Sequence, residues 1–281
     1  ENRLPPGPTS VAQNRSRNSI FEQQIDGILV SARKDIEFGS VVHRLVYGSE
    51  YYSTENKTLR DGGTTEALTG VTVREFFPLP TRDFPVTKVD QLAFFVQVEI
   101  ELMNGRLILS PGIRYDDFEA KATADAVYLA GNPGISAPED FSDSEVTAKL
   151  GVVYEFTSDL SIYGNVSEGF RAPPYDDVNV GFTNFIGGYK TISNAALESE
   201  TSIGYEIGTR LRGGWGSVNV AVFKNDYDNF IESLATAPAF AGSGGIDPAD
   251  GLLTFQSVNL SEVEIKGLEL SGELSLAPLN D

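Results

Sequence analysis

The chain has no cysteine and a single histidine among its 281 residues. Disulfide frameworks, thiolate catalysis, cysteine-rich zinc sites and any two-histidine metal site within the chain are thereby excluded. Positive charge is scarce as well: 21 Lys and Arg stand against 40 Asp and Glu, a formal charge of −19. That is the reverse of the clustered basic surface a phosphate backbone demands, so nucleic acid is excluded as a partner. Apolar runs are short. None approaches the ~20 residues of a membrane helix, and the N-terminal ENRLPPGPTSVAQNRSRN lacks the apolar core of a secretory signal. No segment reads as a long amphipathic helix.

What the chain does have is 28 Gly, 14 Pro and 11 Tyr, a composition that favours strands and turns. Period-2 alternation and β-forming residues predict about nine strands, centred in 20–32, 39–53, 90–101, 106–117, 144–156, 159–168, 200–212, 215–228 and 257–275. From Glu200 the dyad is clear. Ile203, Tyr205, Ile207, Thr209 and Leu211 face one way, and Ser202, Gly204, Glu206, Gly208 and Arg210 the other. Leu107, Leu109, Ile113 and Tyr115 alternate in the same manner with Ser110, Gly112, Arg114 and Asp116. Such alternation suits a transmembrane barrel with a polar lumen and equally a half-buried soluble sheet.

The connections discriminate between the two. Short turns at about Arg33 to Phe38, Asn104-Gly105, Thr157-Ser158 and Gly213-Gly214 alternate with long segments at about 54–89, 118–143, 169–199 and 229–256. A sandwich has no reason to gather its long loops at one end, whereas outer-membrane barrels pair short periplasmic turns with long extracellular loops. The expected fold is therefore all-β, an antiparallel transmembrane β-barrel segment. About nine strands do not close a plugged barrel of about 22, so residues 1–281 are expected to form one partial barrel domain. Trp215, Tyr154, Phe156, Tyr163 and Tyr227 lie near predicted strand ends and are expected to form the interfacial aromatic girdles. Gly204 and Gly208 leave room on the lumen face, where Glu206 and Arg210 are expected to form a polar network.

Pro173-Pro174 removes two backbone donors and forces the chain out of the sheet into a loop. This exit belongs to SIYGNVSEGFRAPPYDDVN (161–179), and NAALESETSIGYEIGTR (194–210) follows after an irregular segment. Together with LSPGIRYDDFEA (109–120), HRLVYGSEYY (43–52), FKNDYDNFIES (223–233) and VNLSEVEIKGLELSGEL (258–274), these stretches resemble TonB-dependent outer-membrane receptors, and within them the haem and haemoprotein branch, which groups receptors for haemoglobin with those for transferrin and lactoferrin. Asn194, Leu197, Glu200, Ser202, Glu206 and Gly208 match that family's NPNLxPExSxxxExG box, without its prolines.

The resemblance implies a receptor in the bacterial outer membrane for TonB-dependent uptake of haem or a haemoprotein, with ferric siderophores as the alternative. It implies a TonB partner acting through a plug domain that this chain does not contain, contact with outer-membrane lipid, no enzymatic activity and no permanently bound cofactor. In receptors of this branch a histidine between the two boxes commonly ligates iron, and 174–193 contains none. Tyr175 and Tyr189 lie in that interval, and a tyrosinate can hold ferric haem. Arg171, Tyr175 and Tyr189 are therefore the candidate ligand-binding residues. His43, sharing a face with Leu45 and Tyr47, is expected to be packed or interfacial. Asp125, Glu139, Asp140, Asp176, Asp177 and Glu198 are read as a solvated acidic loop set without calcium-loop spacing. From another class, a soluble extracellular adhesion or binding protein would pack its outward Ile, Leu and Val against a second sheet. A hydrolase using Asp116-Asp117 or Asp176-Asp177 is weaker, because adjacent carboxylates on a strand point to opposite faces.

Overall fold

A computed structural model of the chain describes residues 12–39, 41–73, 75, 79–132, 137–184 and 187–275. Nine long strands carry the architecture: β1 (Gln13–Phe38), β2 (Val41–Glu66), β4 (Val86–Leu102), β5 (Leu107–Thr123), β6 (Phe141–Glu155), β7 (Leu160–Arg171), β10 (Glu200–Gly213), β11 (Gly216–Thr236) and β12 (Leu253–Leu274). Three short ones, β3 (Thr72–Val73), β8 (Phe182–Asn184) and β9 (Tyr189–Ile192), lie in the long connections with the helices α1 (Ala126–Gly131) and α2 (Tyr175–Asn179) and a 3-10 turn at Pro238–Ser243. All long strands pair antiparallel with their sequence neighbours in the order β1-β2-β4-β5-β6-β7-β10-β11-β12, and β9 and β8 follow β12 at the far edge. The result is one curled sheet, half of a barrel wall.

Turn chemistry explains the short end. Between β4 and β5, Met103, Asn104 and Gly105 all have positive φ, at 54°, 58° and 84°, which the Asn-Gly pair supplies at low cost. Gly213 pairs with Gly216 around a loop of Gly214 and Trp215. Gly216 sits at φ 133°, where a Cβ would run into the Glu273 carbonyl of β12. The expected turn at Arg33 to Phe38 is instead strand, Arg33 and Asp35 pairing with Val46 and Arg44 and Phe38 with Val41. β2 likewise runs on through 54–66, which was expected as loop. These polar, Thr-, Asn- and Gly-rich stretches carry no apolar alternation because a strand projecting beyond the bilayer needs only a partner for its backbone.

The faces sort as the dyad requires. Ile203, Tyr205, Ile207 and Leu211 are all exposed on the outer face, while Gly208 on the other face is buried. Val222 and Leu268 continue the apolar row from Ile207 across β11 and β12. Among the described residues no second sheet packs against this row, so the soluble-sandwich reading has nothing to bury it. Inside, the Tyr163 ring lies where a side chain on Gly208 would be, and Arg210 stacks over it at 5.9 Å. Arg210 is thus engaged with an aromatic ring rather than with Glu206.

Two of the expected girdle residues are corrected. Tyr163 shares the inner face with Gly208, and Tyr227, one residue along β11 from outward Asp226, packs edge-on against Phe230. Proximity to a strand end said nothing about which face they take. Trp215 and Phe156 are exposed at the short turns, with Tyr154 edge-on to Phe156 at 4.6 Å. Toward the long connections Tyr51 and Tyr115 stand outside, their hydroxyls donating to Asp90 and Asp117 at 2.8 and 3.3 Å. Each presents an apolar ring and a polar tip, as an interface demands.

Gly216→Ala is expected to destabilise the fold by about 1–3 kcal/mol through backbone strain and the clash with β12, whereas Gly214→Ala, with nothing within 4 Å of its Cβ position, is expected to be neutral. Urea unfolding in detergent compares them; equal midpoints would refute this account of the hairpin.

Candidate functional site

Buried apolar residues concentrate at the long-connection end rather than along the sheet. One cluster joins Val89, Phe118 and Ala120 with Phe141, Ala172 and Tyr175; a second joins Val178, Leu197 and Ile231. Both gather around the segment that leaves β7. Pro173 is fully buried and Pro174 precedes α2, its carbonyl accepting from Asp177 and Val178 N–H at 3.0 and 3.2 Å. The prolines end the strand and start the helix.

Side-chain ties hold this segment in place. The Asp177 carboxylate accepts from Ser233 at 2.9 Å and from Ser257 at 2.8 Å, fastening α2 to β11 and β12. The buried Asn179 amide exchanges two bonds with the Glu139 backbone, at 2.8 and 2.7 Å. Glu200, within the NPNL-like box, is buried; it takes the Ile231 N–H at 2.6 Å and pairs with Arg171 at 3.0 Å. The box is therefore a structural clasp between β7, β10 and β11. Two more carboxylates of the acidic loop set are also committed: Asp125 caps α1 through the Tyr128 N–H and takes the Arg82 guanidinium, and Asp140 accepts from Ala122 N–H. Asp116 bonds Arg114 on the inner face while Asp117 accepts from Tyr115 on the outer, so this adjacent pair is split between faces.

The three candidate ligand-binding residues fall in two places. Arg171, 56% exposed beyond its bond to Glu200, lines a cavity of about 510 Å³ on the inner face with Glu50, Tyr52, Arg114 and Asp116. Arg114 is itself held by Glu50 and Asp116 at 2.9 Å. Tyr175 packs beside this cavity, edge-on to Phe84 at 5.2 Å, and burial, with the nearby Asp176 carboxylate, pushes its phenol up to about 12. A tyrosinate there is costly. Tyr189 belongs to another cluster. It sits on β9, which pairs parallel to the start of β12, with its ring 6.0 Å from Phe182 and 6.3 Å from Phe255. The Arg60 guanidinium covers Phe182 at 4.3 Å, and Lys190 bonds Asp247 and Asp250 at 2.6 and 2.8 Å, holding the Asp247 carboxyl below its usual range. Arg60, Phe182, Lys190 and Phe255 carried no local signal, because their meeting depends on pairings across more than one connection. His43, near the start of β2 and paired with Ile36, has its ring edge-on to Phe38 at 5.5 Å, a packed position as its face suggested.

A profile of the TonB-dependent receptor-like β-barrel matches residues 2–280. The chain belongs to that family. It is 27% identical over 184 residues to the haemoglobin-haptoglobin utilization protein B of Neisseria meningitidis serogroup C, covering 62% of this chain and 22% of that protein. It is 24% identical over 271 residues to the ferrienterobactin receptor of Escherichia coli K12, covering 91% of this chain and 32% of that one. Among solved structures it resembles a double mutant of the Serratia marcescens hemophore receptor HasR in complex with HasA and heme, with TM-score 0.67 and 16% identity over 93% of this chain and 40% of that one. The chain thus spans less than a third of the length of these two curated relatives. Members of the family are outer-membrane transport receptors rather than enzymes, which places this apolar-skinned sheet in the outer membrane.

Asn179→Leu leaves the Glu139 N–H and carbonyl without partners and is expected to cost roughly 1–3 kcal/mol locally. Limited proteolysis should then cut faster near Glu139; an unchanged cleavage rate would show that the clasp is not needed.

Proposed function

We propose that this sheet is part of a receptor that imports haem or a haemoprotein's haem across the outer membrane, with TonB supplying energy through a plug domain. The observation that carries the reading is Tyr189. Its phenol stands in the long-connection end between Phe182 and Phe255, apolar rings suited to the face of a planar macrocycle, and a phenolate is a known type of ligand to haem iron. Arg171, on the separate inner-face cavity and 56% exposed, supplies a cation that an anionic ligand would meet on its way inward rather than at the Tyr189 site. Tyr175 contributes packing in this reading, since burial and the nearby Asp176 carboxylate push its phenol up to about 12. The similarity to haemoglobin-haptoglobin utilization protein B supports the haem assignment.

The partial barrel is part of the same proposal. The outer edge of β1 has no neighbour among the described residues, and beyond Gln256 neither has that of β12. Hydrocarbon does not tolerate open backbone edges, so further strands must close the sheet. A ferric siderophore is the second reading, supported by the ferrienterobactin receptor's alignment along 91% of this chain.

Ferric haem titrated into the complete receptor in detergent should produce a saturable Soret shift that a ferric siderophore does not compete away. Tyr189→Phe should change the bound spectrum and weaken binding by about tenfold or more, as loss of an axial bond requires, while Tyr175→Phe leaves the spectrum as it was. An unshifted Soret band with siderophore binding intact overturns the haem assignment; an unchanged Tyr189→Phe spectrum overturns the ligand.

A further inference from the structure

Between β6 and β7 the wall is only partly zipped. Their ladder stops at Lys149–Ser167, although β6 stays paired with β5 up to Phe141 and β7 with β10 up to Arg171. A gap therefore separates 144–148 from 168–171, at the height of the outward ring of Tyr115, which pairs with Val146. Water reaches the backbone at that height, so an open ladder is tolerated there and not lower down. Above the gap the Ser199 hydroxyl donates to Asp143 at 2.5 Å, so both ends are tied. The N–H groups of Ser144, Val146 and Ala148, alternate residues on one edge of β6, are each taken by a carboxylate: Asp143 at 2.8 Å, Glu145 at 3.1 Å and Glu168 at 2.8 Å. Side chains stand in for a missing strand. Thr147 and Arg171, and Phe170 through the gap, line the cavity of about 510 Å³.

The two lips of the gap match each other. Stepping up one residue at a time from Lys149–Ser167 sets Ala148 opposite Glu168, Thr147 opposite Gly169, Val146 opposite Phe170 and Glu145 opposite Arg171. Val146 with Phe170 is an apolar pair on the outer face, and Glu145 with Arg171 an opposite-charge pair on the inner one, both favoured across strands. Arg171 already pairs with Glu200 of β10, in register and by a bond of 3.0 Å. A closed wall would carry Glu145, Arg171 and Glu200 in one row. From this match we infer that the gap is a latch: the wall exchanges between the open form and one zipped to Glu145–Arg171, and an anionic ligand held by Arg171 favours the open form. Closing moves the Val146 and Ala148 N–H groups from the Glu145 and Glu168 carboxylates to β7 carbonyls, so no bond is lost and the two forms lie close in energy. It also brings Glu145 onto the Arg171 guanidinium, where a bound anion competes with it and repels it. The exchange needs only residues of this chain, whereas its control by ligand rests on the proposed role of Arg171.

The test is disulfide trapping in the complete receptor in detergent, with Val146→Cys and Phe170→Cys introduced together and copper-phenanthroline as oxidant. A paired rung brings the two Cα atoms to about 5.5 Å, within reach of a disulfide. The bond should form without ligand, and saturating ferric haem should slow it roughly tenfold, within the usual span of coupling between sites. Adding Glu145→Gln should slow trapping without haem and remove most of the haem effect. Leu150→Cys with Val166→Cys, on a rung that is already paired, should oxidise at one rate throughout. No disulfide at 146 and 170 while 150 and 166 form theirs overturns the latch, as does a trapping rate that Glu145→Gln leaves unchanged. Haem that binds by its Soret shift and leaves the rate as it was overturns the control by Arg171. With no Soret shift it is the haem assignment that fails, and the latch still stands or falls on the Glu145→Gln comparison.

Discussion

Backbone hydrogen bonding without water is the constraint on which everything else here depends. In hydrocarbon every N–H and C=O must find a partner within the protein. The chain meets this by pairing each long strand with its sequence neighbour from one end of the ladder to the other. A meander of that kind places successive reversals at opposite ends. With an apolar belt of fixed height, one set of reversals can be tight while the other is free to grow. The positive φ values at Met103, Asn104, Gly105 and Gly216 belong to the tight set. The helices, the short strands and nearly all of the buried apolar residues belong to the other.

That division separates stability from recognition. The wall needs no dense interior, since its outer side chains meet lipid and its inner ones a polar lumen. Packing is therefore spent where the long connections must hold a shape in water. Asp177, Asn179 and Glu200 are the means: each short polar side chain joins segments far apart in sequence, from inside a region dry enough for those bonds to be strong. Glu200 shows how a residue within a family motif earns its place through geometry. Its two oxygens serve Arg171 and the Ile231 N–H, so replacing it would loosen the loop exit and the start of β10 together.

The nine long strands and the alternation of short and long connections were legible in the sequence because they rest on local chemistry: the dyad of Ile203 to Leu211, the Asn104-Gly105 turn, the Pro173-Pro174 exit. Strand lengths were less legible. Residues 54–66 look like loop because a strand above the bilayer has no apolar face to display, and its partner β1 is what keeps it extended. Facing was misjudged where position along the strand stood in for parity, as at Tyr163 and Tyr227. At the candidate site, the sequence supplied Arg171, Tyr175 and Tyr189 but not their surroundings. Tyr175 in a core and Tyr189 between Phe182 and Phe255 differ through contacts made by other elements, Val89 and Phe118 for the one and Phe255 for the other.

The same division accounts for the pattern of similarity. A wall satisfied by alternation and turn chemistry admits very many sequences, so 16% identity accompanies a TM-score of 0.67 against a receptor solved with heme. The candidate ligand residues Tyr175 and Tyr189 sit on the connections, where neither the long-strand pairing nor the lipid belt fixes residue type. Relatives named for haemoglobin-haptoglobin and for ferrienterobactin are accordingly about equally similar to this chain. Ligand choice must then be argued from particular side chains and their surroundings. The two tyrosines of this connection differ in surroundings: burial against the Val89, Phe118 and Ala120 cluster raises the phenol of Tyr175, while Tyr189 stands between Phe182 and Phe255, which is why the proposed haem reading assigns the ligand to Tyr189.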